Sequence, residues 1–237
     1  MILSRLSDAL KTQNWLAVIV EFLIVLAGVV IGFQISAWNE DRAATADYRD
    51  ALAEIERQIR ADIAEIDYQL GRIAEVRALA EDVFPALEAC RTPDGGVPAL
   101  NRLIVLLAND VVPTYETRGV SRLLGSERLR ARADEAALAA LERYDAAMAE
   151  ENSQLSVNFQ LLWAEHVLHH PVMTANLDPQ GEEASFALDV PLGEACADRT
   201  FKRRLAVTHA FYATIGLRMT DFRVQAEDAL AAVTRAA

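Results

Sequence analysis

The stretch from Trp15 to Trp38, WLAVIVEFLIVLAGVVIGFQISAW, constrains this chain more than any other, because it holds a single formal charge, Glu21. At 1.5 Å of helical rise per residue the two tryptophans stand about 34 Å apart. A bilayer's hydrocarbon core is about 30 Å thick, with tryptophan favoured at both edges. The run predicts a transmembrane helix over residues 15–38, anchored at the interfaces by Trp15 and Trp38. A short tail, 1–14, precedes it, and a soluble domain, 39–237, follows. A cleaved signal peptide is the rival reading, with a small-x-small site at Ala44-Thr45-Ala46. The apolar run exceeds a signal's usual 7–15 or so residues, and Asn39-Glu40-Asp41-Arg42 sits awkwardly before such a site.

Within the span, Gly28 and Gly32 form a GxxxG. At 100° per residue Glu21, Gly28, Gly32 and Ser36 fall within about 80° of arc. Small residues on one stripe allow two helices to approach closely, and a carboxyl on it can bond across the pair. The face therefore predicts a homo-oligomer through the membrane helix. The competing readings are that Glu21 snorkels to the headgroups and that the glycine spacing is accidental.

The direction of the span is weakly encoded. Arg5 and Lys11 precede it and Arg42 and Arg49 follow it, so the basic flanks tie. The α-amino group tips the reading to a cytoplasmic N-terminus and an extracytoplasmic domain. Cys90 and Cys196, the two cysteines present, allow one disulfide there, or are two unrelated buried thiols.

The net charge is −12, while residues 1–38 sum to zero, so the excess acid lies after the span. That excludes a nucleic-acid partner, since such binding depends on neutralising phosphates. Alanine, leucine, glutamate and arginine dominate the remainder, which predicts an all-α fold. From Asp47 to Phe84, apolar residues recur every three or four positions: Tyr48, Leu52, Ile55, Ile59, Ile63, Ile66, Leu70, Ile73, Val76, Leu79 and Val83. Pro85 is read as the stop, and nothing breaks the chain between this helix and the span.

Shorter helices follow around Ala99–Asn109 and from a Thr114 cap to Gly125, with Val111-Val112-Pro113 as a joint. Ser126 is read as the cap of a long helix running towards His169. Pro171 to Ala197, punctuated by Pro179, Gly181, Pro191 and Gly193, reads as a lid or Ω-like excursion with a short strand at 185–190. Asp198 or Thr200 opens a last helix carrying Phe201, Leu205, Phe211, Tyr212, Ile215, Met219 and Phe222 inward. Such helices bury their stripes as an antiparallel bundle.

The span Val20-Glu21-Phe22-Leu23-Ile24-Val25-Leu26-Ala27-Gly28-Val29-Val30-Ile31-Gly32-Phe33-Gln34-Ile35-Ser36-Ala37-Trp38-Asn39-Glu40 resembles the pattern G-E-I-x-L-V-x-x-G-I-x-I-A-x-Q-x-x-x-W-N-E. That pattern opens an uncharacterised family of bacterial single-pass membrane proteins defined by a domain of unknown function. Thr114-Tyr115-Glu116, Gly119, Leu129-Arg130 and Tyr144 are similar to a later family segment. The chain departs from it at Val20 and Gly32 and lacks a Ser-Ser-Gly. The resemblance implies an anchor in a bacterial inner membrane carrying a helical domain, and brings no activity with it.

Glu165, His166, His169 and His170 are the cluster with metal-ligand spacing, one helical turn apart in two pairs. The alternative is a histidine-rich helix end before Pro171. Arg118, Arg122, Arg128, Arg130 and Arg132 concentrate positive charge, to bind an anionic partner or to pair with Glu116, Glu127, Asp134 and Glu135. No phosphate-binding glycine loop, G-x-S-x-G or H-E-x-x-H occurs, so no catalytic residue or cofactor is expected. The leading expectation is a membrane-anchored interaction or scaffold protein with an unknown protein partner. The alternative is an extracytoplasmic small-ligand sensing module acting through a partner subunit. The 14 residues before Trp15 leave little room for an output element, which favours the scaffold.

Overall fold

The structure, a computed structural model, describes residues 15–108, 115, 118–176 and 185–236, without the side chains of 15–17, 155–164, 176 and 185. The 1–14 tail, the Trp15 side chain, the Thr114 cap, the 111–113 joint, Glu116, Pro179 and Gly181 lie outside that description. The fold is all-α apart from one small hairpin, and it divides into two compact units at Asp50/Ala51.

Helix α1, Trp15–Glu88, runs unbroken through both units. It is long and apolar enough to cross a membrane over its N-terminal part, and none of that apolar window is buried. Phe22, Phe33 and Trp38 are 64%, 74% and 62% exposed. A contiguous apolar surface of that kind marks contact with lipid or with another chain. Where the apolar run ends, the Arg42 guanidinium lies 5.6 Å over the Trp38 ring.

In the second unit α1 buries Leu52, Ile55, Ile59, Asp62, Ile66, Gln69, Ile73, Val76, Ala80, Val83 and Leu87. These alternate three and four residues apart without a slip, a 3.5-residue repeat. The stripe expected from apolar residues alone needs correction at three places. Asp62, Gln69 and Ala80 hold the inward positions, and Ile63, Leu70 and Leu79 lie half-buried beside them. An inward seam follows backbone geometry, and here it passes through two polar side chains.

Helices α2 (Gly96–Ala108) and α3 (Arg118–Gly125) run back along α1. Arg102 of α2 pairs with Glu75, and the Gly119 N–H of α3 donates to Gln58 at 3.1 Å. A Cβ at Gly119 would come within 2.9 Å of that Gln58 oxygen, so glycine lets α3 sit close. After the four-residue α4 (Glu127–Arg130), α5 (Glu135–Glu165) runs parallel to α1. The last helix, α7 (Arg199–Ala236), returns antiparallel to both. Its Gly216 faces Ile73, Arg223 pairs with Asp67 at 2.6 Å, and Arg203 pairs with Glu165 at 3.0 Å. The second unit is thus an up-down-up-down bundle with its second member divided between α2 and α3. Its seam on α7 also alternates three and four: Phe201, Leu205, Thr208, Tyr212, Ile215, Met219, Phe222, Ala226, Ala229 and Val233.

Three helix boundaries differ from the sequence expectation. Pro85 does not end α1, which continues to Glu88. Proline removes one donor, while its own carbonyl still accepts from the Ala89 N–H at 3.1 Å. The helix ends at Cys90, where φ is +48°. There the Arg91 and Cys90 N–H groups bond back to the Ala86 and Leu87 carbonyls.

The helix expected from Glu127 to His169 is divided, because Asp134 accepts from the Ala136 and Ala137 N–H groups at 3.0 and 3.1 Å and starts α5 anew. Its C-terminus falls at Glu165, where His166 turns extended at ψ 141°. Ser126 does cap α4, and Asp198 caps α7 through the Thr200 and Phe201 N–H groups at 2.8 and 3.1 Å. The excursion between α5 and α7 contains strands β1 (Met173–Asn176) and β2 (Ser185–Leu188), paired antiparallel with Met173 opposite Leu188, and a short helix α6 (Leu192–Ala197). Asn101 of α2 accepts from the Leu188 N–H at 3.1 Å and holds the hairpin on the bundle.

Candidate functional site

Midway along the bundle the two polar positions of the α1 seam both find partners, Asp62 on another helix and Gln69 within α1. The Tyr144 hydroxyl of α5 donates to Asp62 at 2.5 Å, and Gln69 donates to Glu65 at 2.6 Å. The Tyr144 ring stacks on Phe222 of α7 with centroids 5.5 Å apart. Tyr115 meets the same Phe222 ring edge-on at 4.6 Å. Burial pushes both phenols well above the ordinary tyrosine range, with Asp62 adding to it at Tyr144 and Glu151, Asp62 and Glu65 at Tyr115. Both therefore remain neutral donors, and neither is set up to act as a base or nucleophile.

Beside this layer Arg218 of α7 donates through Nε and Nη2 to one oxygen of Glu151 on α5, at 3.1 and 2.8 Å. The pair is mostly buried and stands between two clefts on the α5–α7 seam. One, of about 110 Å³, is walled by Tyr115, Phe211, Ile215 and Met219. The other, of about 230 Å³, carries Glu150, Asp221 and Gln225. Both fall below the roughly 300–1,000 Å³ of sites that enclose a drug-sized ligand. The chemistry these groups offer is mutual satisfaction. Buried polar pairs that find each other in one register penalise every other register. Asp62, Glu151 and Arg218 escaped the sequence reading, although the three-four spacing running on through Asp62 and Gln69 was a usable signal.

The four residues with metal-like spacing are not brought together. Glu165 pairs with Arg203, and His169 is exposed. His166 and His170 are buried and turn to different partners. The His166 Nε2 meets the Leu107 carbonyl at 3.0 Å, and its Nδ1 accepts from the Leu168 N–H. Tyr212 donates to the same carbonyl at 2.9 Å, so the open C-terminal end of α2 is satisfied from α7 and from the turn after α5. His170 meets Asp198 at 3.4 Å through Nε2. The one-turn spacing fails because α5 stops at Glu165, before the histidines begin. Among the described residues no group of three His, Cys, Asp or Glu side chains is placed to hold a metal ion.

Backbone donors, Phe201 first, then Thr200, with His170 contributing, hold the Asp198 carboxyl below its ordinary range. His209 is shifted down too, by burial beside Phe84 and then by Arg77. The two act in different pH windows. As pH falls below about 6.5, unfolded His209 gains a proton that folded His209 resists, so stability declines from there. Asp198 contributes stability above the ordinary carboxylate range and loses it only as pH falls through its lowered folded value. Urea midpoints should therefore fall between pH 7.5 and 5.5 or so in the parent and fall less in His209→Gln. An equal fall in both chains would remove His209 as a source.

Cys90 and Cys196 form a disulfide with their Cα atoms 5.4 Å apart. It ties the turn after α1 to α6. In the apolar part of α1, Glu21, Gly28, Gly32 and Ser36 are all exposed, and a Cβ added at either glycine meets nothing within 4 Å. The arginines of α3 and α4 make long ion pairs, Arg122 to Glu54 at 3.6 Å and Arg130 to Glu142 at 3.7 Å. No protein-family profile matches the chain, and no curated protein or solved structure is significantly similar to it.

Proposed function

We propose that this chain is a single-pass membrane protein of a bacterial inner membrane that serves as a non-enzymatic interaction or scaffold protein. The observation that carries the reading is one helix, α1, whose N-terminal part is apolar and wholly exposed and whose C-terminal part is the first member of a bundle. The polar layer of that bundle is occupied with its own contacts, which suits a rigid module better than a reaction site. The likeness of the Glu21-to-Glu40 stretch to a family of bacterial single-pass proteins supports the membrane assignment. The N-terminus is cytoplasmic and the bundle extracytoplasmic, a direction supported by the Cys90–Cys196 disulfide, since such bonds persist in oxidising compartments. Thiol labelling of intact cells from outside tests this: Cys90 and Cys196 should react only after reductant is added. Labelling without reductant would remove the disulfide as its support, and labelling only after lysis would reverse the direction.

The membrane helix brings two copies together through Glu21, Gly28, Gly32 and Ser36, the open stripe of α1. Crosslinking of the full chain in native membranes should give a dimer that Gly28→Leu reduces about tenfold, as expected for an association worth about 1–2 kcal/mol. Val29→Leu, off the stripe, should leave it unchanged. Equal crosslinking in all three chains would sink the self-association.

A second reading, a small-ligand sensing module acting through a partner subunit, is favoured by one observation, the aromatic-walled cleft at Arg218. A solute seated there would have to displace Glu151 from Arg218. Replacing Glu151 with Gln should then tighten its binding.

A further inference from the structure

In a chain with 23 Lys and Arg against 35 Asp and Glu, residues 118–132 hold five arginines against one glutamate. The fold places them together on α3, α4 and the turn that follows. Arg118, Arg122, Arg128 and Arg130 are exposed, and Arg132 is half-buried. Beside them lies an open recess of about 620 Å³ with half-buried Leu124 and Leu138 in its wall and Arg130 and Glu127 at its edge. Leucine side chains next to a surface where exposed guanidinium groups outnumber carboxylates suit a ligand with a phosphate head and a hydrocarbon body. The ion pairs on the rim, at 3.6 and 3.7 Å between exposed side chains, are of the kind that contributes little and exchanges readily.

From this we infer that the α3–α4 corner is a docking surface for anionic phospholipid headgroups. The inference rests on the reading of α1 as a membrane anchor. Within the bundle this corner belongs to the end at which α1 enters. Arg122 reaches Glu54, and Gly119 bonds to Gln58. Glu54 follows Trp38 by only 16 residues of sequence. Such a tether supplies the lipid surface at high effective concentration, so individually weak arginine–phosphate contacts add up. A soluble acidic protein would have no such advantage and would meet the repulsion of the remaining acidic surface.

The test uses the full, oxidised chain with Ala131→Cys, an exposed position beside the recess, carrying a fluorophore attached without reductant. It is reconstituted into vesicles whose lipids bear a headgroup quencher, either all phosphatidylcholine or with about a third phosphatidylglycerol. Quenching should be about threefold stronger in the anionic vesicles and should fade as salt is raised. Arg118→Gln/Arg122→Gln/Arg128→Gln/Arg130→Gln should abolish the difference. Arg118→Gln alone, which breaks none of the described ion pairs, should reduce it and guards against misfolding of the quadruple variant. A charge-matched control at the other end of the bundle, Arg91→Gln/Arg199→Gln/Lys202→Gln/Arg203→Gln, should leave it intact.

Equal quenching in both vesicles overturns the proposal. So does loss of the effect in the control, which would mean net charge alone is at work. Signal abolished by an added acidic peptide but insensitive to lipid charge would assign the corner to a protein partner instead. Flotation of the same samples reports the anchor separately: a chain that does not float with vesicles overturns the membrane reading itself, whereas a chain that floats without charge-dependent quenching overturns only the lipid site.

Discussion

The Cys90→Ala/Cys196→Ala chain is expected to unfold with a free energy about 3–5 kcal/mol below that of the oxidised parent. The two cysteines are 106 residues apart in sequence, so the bond closes a loop spanning α2 through α6 and removes much of the unfolded chain's freedom. For a loop of roughly 100 residues the chain-entropy estimate is about 4.7 kcal/mol. A second comparison isolates the backbone at Cys90, whose φ of +48° is a conformation that residues with a Cβ adopt at some cost. Glycine is the usual occupant of this helix-ending position. Cys90→Gly/Cys196→Ala should therefore be about 1 kcal/mol more stable than the double-alanine chain, although neither has the disulfide. Urea denaturation of the micelle-bound proteins, followed by circular dichroism, measures both differences. Coincident curves for parent and double-alanine chain would show that the disulfide does not restrain the fold, and a loss in the glycine variant equal to that of the double-alanine chain would show that the turn is unstrained.

Phe222→Ala is expected to destabilise the bundle by about 3–5 kcal/mol, the range for deleting a buried aromatic ring. Phe222 is 1% exposed and lies between the Tyr144 face and the Tyr115 edge. Its loss opens a void next to the Tyr144–Asp62 hydrogen bond, which would let water reach a carboxylate that is now 7% exposed. The effect should then couple to the bond. Tyr144→Phe alone should cost about 1–3 kcal/mol, because it takes a donor from a buried acceptor. In the Phe222→Ala background the same change should cost less, by about 1 kcal/mol, once water can substitute. Strict additivity in the double-mutant cycle would mean that the ring and the hydrogen bond are independent and that the polar layer is not a unit.

The parts of this fold that sequence made legible are those where local chemistry and tertiary packing agree. The apolar run from Trp15 to Trp38, the unbroken passage into the following helix, the Ser126 cap and the Asp198 start of the last helix were each readable from a few neighbouring residues. Disagreement arose where a long-range partner overrides local preference. Asp62 lies inward because Tyr144, 82 residues away, supplies a donor. Apolarity alone therefore selects Ile63 in its place. The histidines leave the helix because Leu107 and Asp198 offer them partners from other segments. Asp134 had the residue type of a cap, but the leucine spacing around it reads as continuous helix. The strand at Ser185 was expected and its partner at Met173 was not, since pairing across an irregular stretch leaves no periodic trace. The two cysteines illustrate the same limit: their number permitted a bond, and only the return of α7 beside α1 brings their ends together.

The unbroken three-four seams of α1 and α7 carry a consequence for how such a chain tolerates changes in length. Inserting one residue between Ile59 and Asp62 would rotate everything beyond it by about 100°, turning Ile73 and Val83 outward. Seven residues restore the seam, but they also slide Asp67 and Ile73 by two turns from Arg223 and Gly216 on the antiparallel helix. A bundle of this design can grow or shrink only in blocks of seven, matched on every helix at the same level. Its loops, by contrast, are free to vary one residue at a time. Length variation among chains built this way should therefore be quantised in the helices and continuous in the hairpin between α5 and α6.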